Sequence, residues 1–167
     1  MRRTVDANGN WRSFRHRNFR ILYPANALSN IGTWAQRVAQ DWLVLELTNN
    51  NGGALGLVTA VQFAPVLFFS LHGGALADRV NKRKLLIWTN IVAAIACYGI
   101  GILVVTHHIQ LWHVFVGAAL LGISSAIDAP IRQAFTSEIV GHSDVANAVS
   151  LNSANFNAGR LVGPALS

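Results

Sequence analysis

Two long stretches without a charged side chain constrain this fold more than any other feature of the sequence. Residues 47–77 and 85–127 contain no Asp, Glu, Lys or Arg. Only 12% of the 167 residues are charged, whereas soluble domains carry about 25%. Uncharged stretches of this length are typical of membrane-spanning helices, because about 20 apolar residues cross a bilayer as a helix. The sequence therefore predicts an all-α, polytopic membrane protein in contact with membrane lipid.

Five transmembrane helices are predicted to follow a polar leader. Residues 1–18 form the leader, and residues 19–167 hold the spans at 19–47, 54–77, 85–106, 110–127 and from 145 onward. A polar turn at 48–53, a charged loop at 78–84 and a turn at 107–109 separate the first four. The fourth span has the composition to continue through residues 128–130, and residues 138–144 form the next loop. We expect the chain to end inside the fifth helix.

The basic residues predict the orientation of these spans. Six arginines lie within residues 1–20, and four basic residues lie within the loop at 78–84, whereas the two intervening turns contain no Lys or Arg. Because cytoplasmic loops are enriched in Lys and Arg, the N-terminus is predicted to be cytoplasmic, with the protein in the inner (plasma) membrane. The net charge of +6 thus marks membrane flanks and does not indicate nucleic-acid binding.

No pattern in the sequence indicates an enzyme, a cofactor or a metal site. There is no nucleophile-elbow Gly-x-Ser-x-Gly, no phosphate-binding G-x-x-x-x-G-K and no paired-His zinc spacing. The single cysteine, Cys97, lies within an apolar stretch and cannot form an intramolecular disulfide. A nucleotide-driven pump is therefore not supported.

Residues 74–86 read GALADRVNKRKLL and resemble the signature loop of the major facilitator superfamily, G-x-L-A-D-R-x-G-R-K-x-x-L. Asn81 replaces the usual glycine, and asparagine tolerates the left-handed backbone that a tight turn requires. The resemblance implies a loop that controls conformational change rather than one that touches cargo. The residues that carry this gate role are Gly74, Asp78, Arg79, Lys82 and Arg83.

Residues 159–167, GRLVGPALS, resemble the antiporter motif G-x-x-x-G-P-x-x-G-G of the same superfamily, with Ser167 at a glycine position. Gly159 and Gly163 are one helical turn apart, next to Pro164, so we expect them to pack closely against another helix. Residues 128–135, DAPIRQAF, together with residues 146–147 and 155–164, resemble the subfamily of enterobactin-exporter-like proteins.

These resemblances imply a twelve-helix fold of two six-helix halves with a substrate site between them near the membrane midplane. The chain is then an incomplete N-terminal half whose C-terminal half is missing. The implied function is a secondary transporter, most simply a proton-coupled exporter of small molecules of drug or siderophore type. The alternative is a membrane interaction or regulatory subunit that keeps the half-fold and does not transport.

Polar residues within the predicted spans are candidates for a substrate or proton site. Arg37 and Asp41 share one face of the first span, and they are either such a site or a structural ion pair near the outer interface. Arg160 and Asn157 lie deep in the fifth span, on a polar stripe with Ser150 and Ser153 that faces either a cavity or partner helices.

The predicted topology can be tested with single cysteines in a Cys97→Ala background. Cysteines at Asn50 and His108 should react with an impermeant maleimide added to intact cells, because both positions lie in turns without Lys or Arg. A cysteine at Lys82 should react only after the cells are permeabilised. External labelling at position 82 would reverse the orientation.

Overall fold

The computed structural model describes residue 13 and residues 17–70, 81–140 and 145–166. These residues contain five α-helices and no β-strand, which confirms the all-α prediction. The helices are α1 (Arg17–Leu47), α2 (Gly52–Ser70), α3 (Lys82–Val105), α4 (Leu111–Val140) and α5 (Val145–Val162). A 3-10 helix, Gly163–Leu166, follows α5.

The start of α3 differs from the prediction, which assigned residues 78–84 to a loop. Asn81 is the N-cap of this helix, and its side-chain oxygen accepts a hydrogen bond from the backbone N–H of Lys84 at 3.1 Å. Its φ of −71° shows that the left-handed interpretation of Asn81 was wrong. Lys82 and Arg83 consequently lie in the first helical turn, where the positive end of the helix dipole disfavours them.

The later boundaries also differ. The fourth span was predicted to end near residue 127 or 130, but α4 continues through Pro130 to Val140, and Glu138 is helical. The fifth span was predicted to run on to Ser167, but the α-helix ends at Val162 because Gly163 and Pro164 begin a 3-10 turn. Proline has no N–H to donate, and Gly163 has no side chain to favour the α-helix.

Two helices end in Schellman motifs, which satisfy carbonyls that would otherwise lack a partner. Asn49 follows α1 with φ 53°, and the N–H of Asn50 donates to the Leu45 carbonyl at 2.8 Å. His107 follows α3 with φ 58°, and the N–H of His108 donates to the Leu103 carbonyl at 2.9 Å. The predicted turns at 48–53 and 107–109 therefore form through the same hydrogen-bond pattern.

Three of the described helices are long and apolar enough to cross a membrane: α2 over Gly52–Phe69, α3 and α4. Many of their large apolar side chains face outward, as in Leu67 (72% exposed) and Tyr98 (76% exposed). Several polar side chains are buried instead: Asn26, Gln40, Gln62, Thr89, Ser124, Thr136 and Asn155. This distribution suits a lipid environment, where apolar surface needs no burial and polar groups associate between helices.

The chain divides into two compact units. The first comprises residues 1–36 and 133–167, and its described core consists of Phe19, Val140 and Ala148. The second comprises residues 37–132, where Val44 of α1, Val58 of α2 and the α4 residues Val114 and Ala118 form the core.

Within the second unit, α2 and α4 approach each other so closely that only glycine fits at one position. A Cβ atom added to Gly122 of α4 would lie 2.2 Å from the carbonyl oxygen of Gln62. Both Gly122 and Gln62 are buried. Because the obstructing atom belongs to the backbone, the two helices would have to separate to accept any side chain here.

Gly122→Ala should therefore destabilise the complete gene product by about 1–3 kcal/mol, the usual range for overpacking. Gly101→Ala in α3 is the matched control, since no atom lies within 4 Å of its added Cβ. That change should leave stability unchanged or raise it, because alanine favours helix over glycine. Thermal unfolding in detergent checks both variants, and equal midpoints would contradict the close approach.

Candidate functional site

The predicted gate loop is described only at its end. Gly74, Asp78 and Arg79 lie outside the described residues. Lys82 is half-buried and Arg83 is exposed in the first turn of α3. The helix dipole disfavours both charges there, so the dipole alone does not account for their position.

Arg37 and Asp41 are both half-buried, one turn apart on α1. The guanidinium carbon of Arg37 lies 5.3 Å from the ring centroid of Phe63 on α2, within the range of a cation–π interaction. The Arg37 side chain therefore contacts the neighbouring helix as well as sharing a helical face with Asp41.

A buried amide pair lies beside Arg37. The Nε2 of Gln40 donates to the Oε1 of Gln62 at 3.3 Å, and both side chains are buried. This bond joins α1 to α2 next to the Arg37–Phe63 contact. Neither glutamine was predicted as a site residue. A large amide within an otherwise apolar stretch was nevertheless a usable signal, because buried amides in membranes need partners.

A second polar cluster, consisting of Thr89, Asn90, Asp128 and Arg132, joins α3 to α4. Arg132 binds Asp128 through two hydrogen bonds, Nε to Oδ2 at 2.6 Å and Nη2 to Oδ1 at 2.9 Å. The Asp128 Oδ1 also accepts from the Thr89 hydroxyl at 3.1 Å and from the Asn90 amide at 3.5 Å. We call this group the Asp128 cluster. Together, its three donor side chains give the two carboxylate oxygens of Asp128 four hydrogen bonds.

The Asp128 cluster was missed from the sequence, where Asp128 and Arg132 were noted only as part of the family-like stretch 128–135. The i, i+4 spacing of Asp128 and Arg132 was the available signal, since it brings the two side chains together on a helix. It could be used only if the fourth helix was known to continue through Pro130. The partners on α3 have no signature in the sequence.

In the first unit, α5 packs against α1, and the two helices run in the same direction. The backbone N–H and hydroxyl of Ser13 donate to Asn147. Further along, Asn155 donates to the Tyr23 carbonyl at 3.3 Å, and a Cβ on Gly159 would lie 3.0 Å from Asn30. Because the partner numbers increase together, the first and fifth helices are parallel, as the predicted topology requires.

The glycines of the antiporter-like motif lie at the closest part of this interface. A Cβ on Gly163 would approach the Trp34 Cβ at 2.5 Å and the backbone of Ile31 and Ala35 at 2.9 Å. Gly159 and Gly163 are both buried, whereas Pro164 is exposed. Direct contact of the α1 and α5 backbones therefore depends on the absence of side chains at these two positions.

The polar stripe of α5 lies on its other side. Ser150, Ser153, Asn157 and Arg160 are all exposed, whereas Asn155 and Gly159 face α1. The guanidinium carbon of Arg160 lies 5.7 Å from the Trp34 ring centroid. Phe156 contacts the same indole edge-to-face, with centroids 5.6 Å apart. The structure thus groups Arg160 with Asn157 in this unit, and Arg37 with Asp41 in the other.

In the part of the chain that the structure describes, no group of three His, Cys, Asp or Glu side chains could hold a metal ion. His108, in the turn after α3, and His113, in the first turn of α4, make local contacts with their rings. His108 Nδ1 lies 2.6 Å from the Thr106 carbonyl, and His113 Nδ1 accepts from the Gln110 N–H at 3.0 Å.

Comparison with known proteins gives a consistent family assignment. The model of a major facilitator family described as transmembrane secretion effector matches residues 8–167. A staphyloferrin A transporter of Staphylococcus aureus is 31% identical over 88% of this chain and 37% of its own length. The multidrug efflux pump Tap of Mycolicibacterium fortuitum is 28% identical over 87% of this chain and 36% of its own length. The chain therefore spans about a third of the length of these relatives. No solved structure matches it significantly.

The Asp128 cluster predicts that single substitutions are more harmful than the double substitution. Asp128→Asn removes the carboxylate that binds Arg132 within α4, and Arg132→Gln removes the guanidinium that binds the half-buried Asp128. Combining them should restore part of the lost stability, by about 0.5–3 kcal/mol of coupling. Unfolding midpoints of the two single variants and the double variant measure this, and strictly additive losses would contradict the pairing.

Proposed function

The chain belongs to the transmembrane secretion effector family of the major facilitator superfamily, and we propose that its gene product is a secondary transporter that exports small molecules. The observation that carries the proposal is the family match across residues 8–167. Both relatives bear names of transport proteins, and one is named an efflux pump. The outward-facing apolar side chains of α2, α3 and α4 support a multi-pass membrane protein.

We further propose that export is driven by a proton gradient. Arg37 and Asp41 are the candidate proton site, because a carboxylate beside an arginine can bind or release a proton as the arginine moves toward or away from it. The half-burial of both residues supports this role. The Arg37–Phe63 contact supplies a second partner that can hold the arginine when Asp41 is protonated.

The gate role of the loop between α2 and α3 is also a proposal. Asp78 would bias the two conformations of the transporter through its charge, together with Gly74, Arg79, Lys82 and Arg83. A carboxylate near a helix N-terminus is stabilised by roughly 0.3–2 kcal/mol, enough to shift a two-state equilibrium several-fold. The cytoplasmic N-terminus, the location in the inner membrane and a C-terminal half that completes the site belong to the same proposal.

Everted membrane vesicles from cells with and without the complete gene product test export. An imposed proton gradient should drive uptake of at least one member of a dye panel that includes ethidium and carboxyfluorescein, and an ionophore should abolish that uptake. Asp41→Asn should remove the gradient-driven component, because the amide binds no proton in this range. Glu46→Gln, an exposed acid on the same helix, is the matched control and should retain uptake.

Two results of this assay would count against the proposal. Equal dye uptake in vesicles with and without the gene product would contradict export. Uptake that requires ATP and survives the ionophore would contradict coupling to protons while leaving transport intact.

A further inference from the structure

Arg160 lies in the last turn of α5, far from the start of the helix. It is the sixteenth residue of α5, 15 positions after Val145, which corresponds to about 22 Å at 1.5 Å per residue. Its aromatic partner Trp34 lies 17 positions after Arg17, or about 26 Å along α1. Since the hydrocarbon core is about 30 Å thick, both helices carry these residues well away from their cytoplasmic ends.

The negative end of the α5 dipole stabilises a cation in this turn, and an arginine in a membrane helix favours further compensating groups. Arginine at the centre of a membrane helix costs at least about 2.5–3.5 kcal/mol. In the described part of the chain, Arg160 makes the contact with Trp34 and no hydrogen bond or ion pair. Within the described residues of its unit, the only carboxylate belongs to Glu138, near the end of α4. Glu138 precedes α5 altogether, whereas Arg160 lies near its far end.

The local structure fixes the position of the arginine. Trp34 is held between the edge of Phe156 and the close approach of Gly163 to its Cβ. The guanidinium carbon lies 5.7 Å from the centre of this indole. A guanidinium that rests on a ring face keeps the N–H groups of its rim available, and these form a fork that matches a carboxylate.

The neighbouring exposed side chains extend this donor surface. Asn157, one turn before Arg160, uses one amide hydrogen on the Ser153 carbonyl at 2.8 Å and retains the other hydrogen and its own oxygen. The Ser153 hydroxyl makes no hydrogen bond in the described part of the chain. Arginine, amide and hydroxyl thus line one side of α5, and no acidic residue lies among them.

We propose that Arg160, supported by Trp34, binds a carboxylate of the exported molecule, and that the transporter therefore prefers anionic cargo. The inference rests on the proposed export function and adds the chemical class of the cargo. A single arginine matches the single charge of a carboxylate. A phosphate group at neutral pH carries more charge and is usually met by several donors or cations. Ser153 and Asn157 supply hydrogen bonds to the polar groups beside the carboxylate.

The test uses two xanthene dyes of similar size and opposite charge, anionic 6-carboxyfluorescein and cationic rhodamine 123. Binding is measured by fluorescence anisotropy with the complete gene product in nanodiscs. The wild-type protein should bind carboxyfluorescein more tightly than rhodamine 123. Arg160→Gln should weaken carboxyfluorescein binding by about tenfold or more, which is typical of losing hydrogen bonds to a charged group, and should leave rhodamine binding unchanged or stronger.

Three further variants separate recognition from folding. Arg160→Lys keeps the cation and should retain part of the affinity, because it loses only the planar fork. Trp34→Phe keeps a ring and should weaken binding less than Arg160→Gln. Arg20→Gln removes an exposed arginine at the start of α1 and should leave both dyes unaffected, which controls for net charge.

The possible results are distinguishable from failure of the proposed function. If vesicles export dyes but the wild-type protein shows no preference for the anionic dye, the inference is overturned and export stands. If Arg160→Gln loses both dyes equally along with thermal stability, Arg160 pairs with an acid elsewhere in the protein, and the inference is again overturned. If vesicles with the gene product transport no dye, both the export function and this inference fail.

Discussion

The hydrogen-bonding demand of a polar group in lipid governs the described structure. A buried N–H, carbonyl, amide or carboxylate without a partner costs several kcal/mol where no water is present. The backbone meets this demand through helices and through the turns after α1 and α3, where Asn49 and His107 adopt left-handed conformations. The side chains meet it in pairs, such as Gln40 with Gln62 and Asp128 with Arg132. The first pair joins α1 to α2, and the second lies within α4 and accepts hydrogen bonds from Thr89 and Asn90 of α3.

Close backbone contact provides the second source of cohesion. Because lipid tails are as apolar as leucine, burying apolar surface between helices gains little, and dispersion contacts between close backbones become more important. Gly122 meets the backbone at Gln62 in one unit, and Gly163 meets the α1 backbone beside Trp34 in the other. The Gln62 residue therefore serves two purposes, since its side chain binds Gln40 while its carbonyl contacts α4. The position of α2 is thus defined by both kinds of interaction at one residue.

The sequence predicted the helical class and the turns because each depends on local patterns. The helical class followed from the uncharged stretches, and the turns followed from the polar run before α2 and the two histidines after α3. The family to which the loop and the glycine motif pointed was confirmed. The end of α4 was mispredicted because the uncharged stretch ends at residue 127, whereas Asp128 and Arg132 neutralise each other within the continuing helix. The partners Thr89 and Asn90 could not be predicted, because they are about 39 residues away in the chain and nothing local marks the contact.

The basic residues of the described helices differ in what stabilises their charge. Arg132 is neutralised by Asp128 within its own helix. The donors from α3 bind the same carboxylate. Lys82 and Arg83 lie at a helix start, where the helix dipole disfavours them. Arg160 lies in the last turn of α5, where the negative end of the helix dipole favours a cation, and its one described side-chain partner is an aromatic ring. A cation–π contact contributes about 0.5–2 kcal/mol, which is less than the cost of an arginine at the centre of a membrane helix. Under the proposed recognition, a cargo that offers a carboxylate to this arginine is bound more tightly than one that does not.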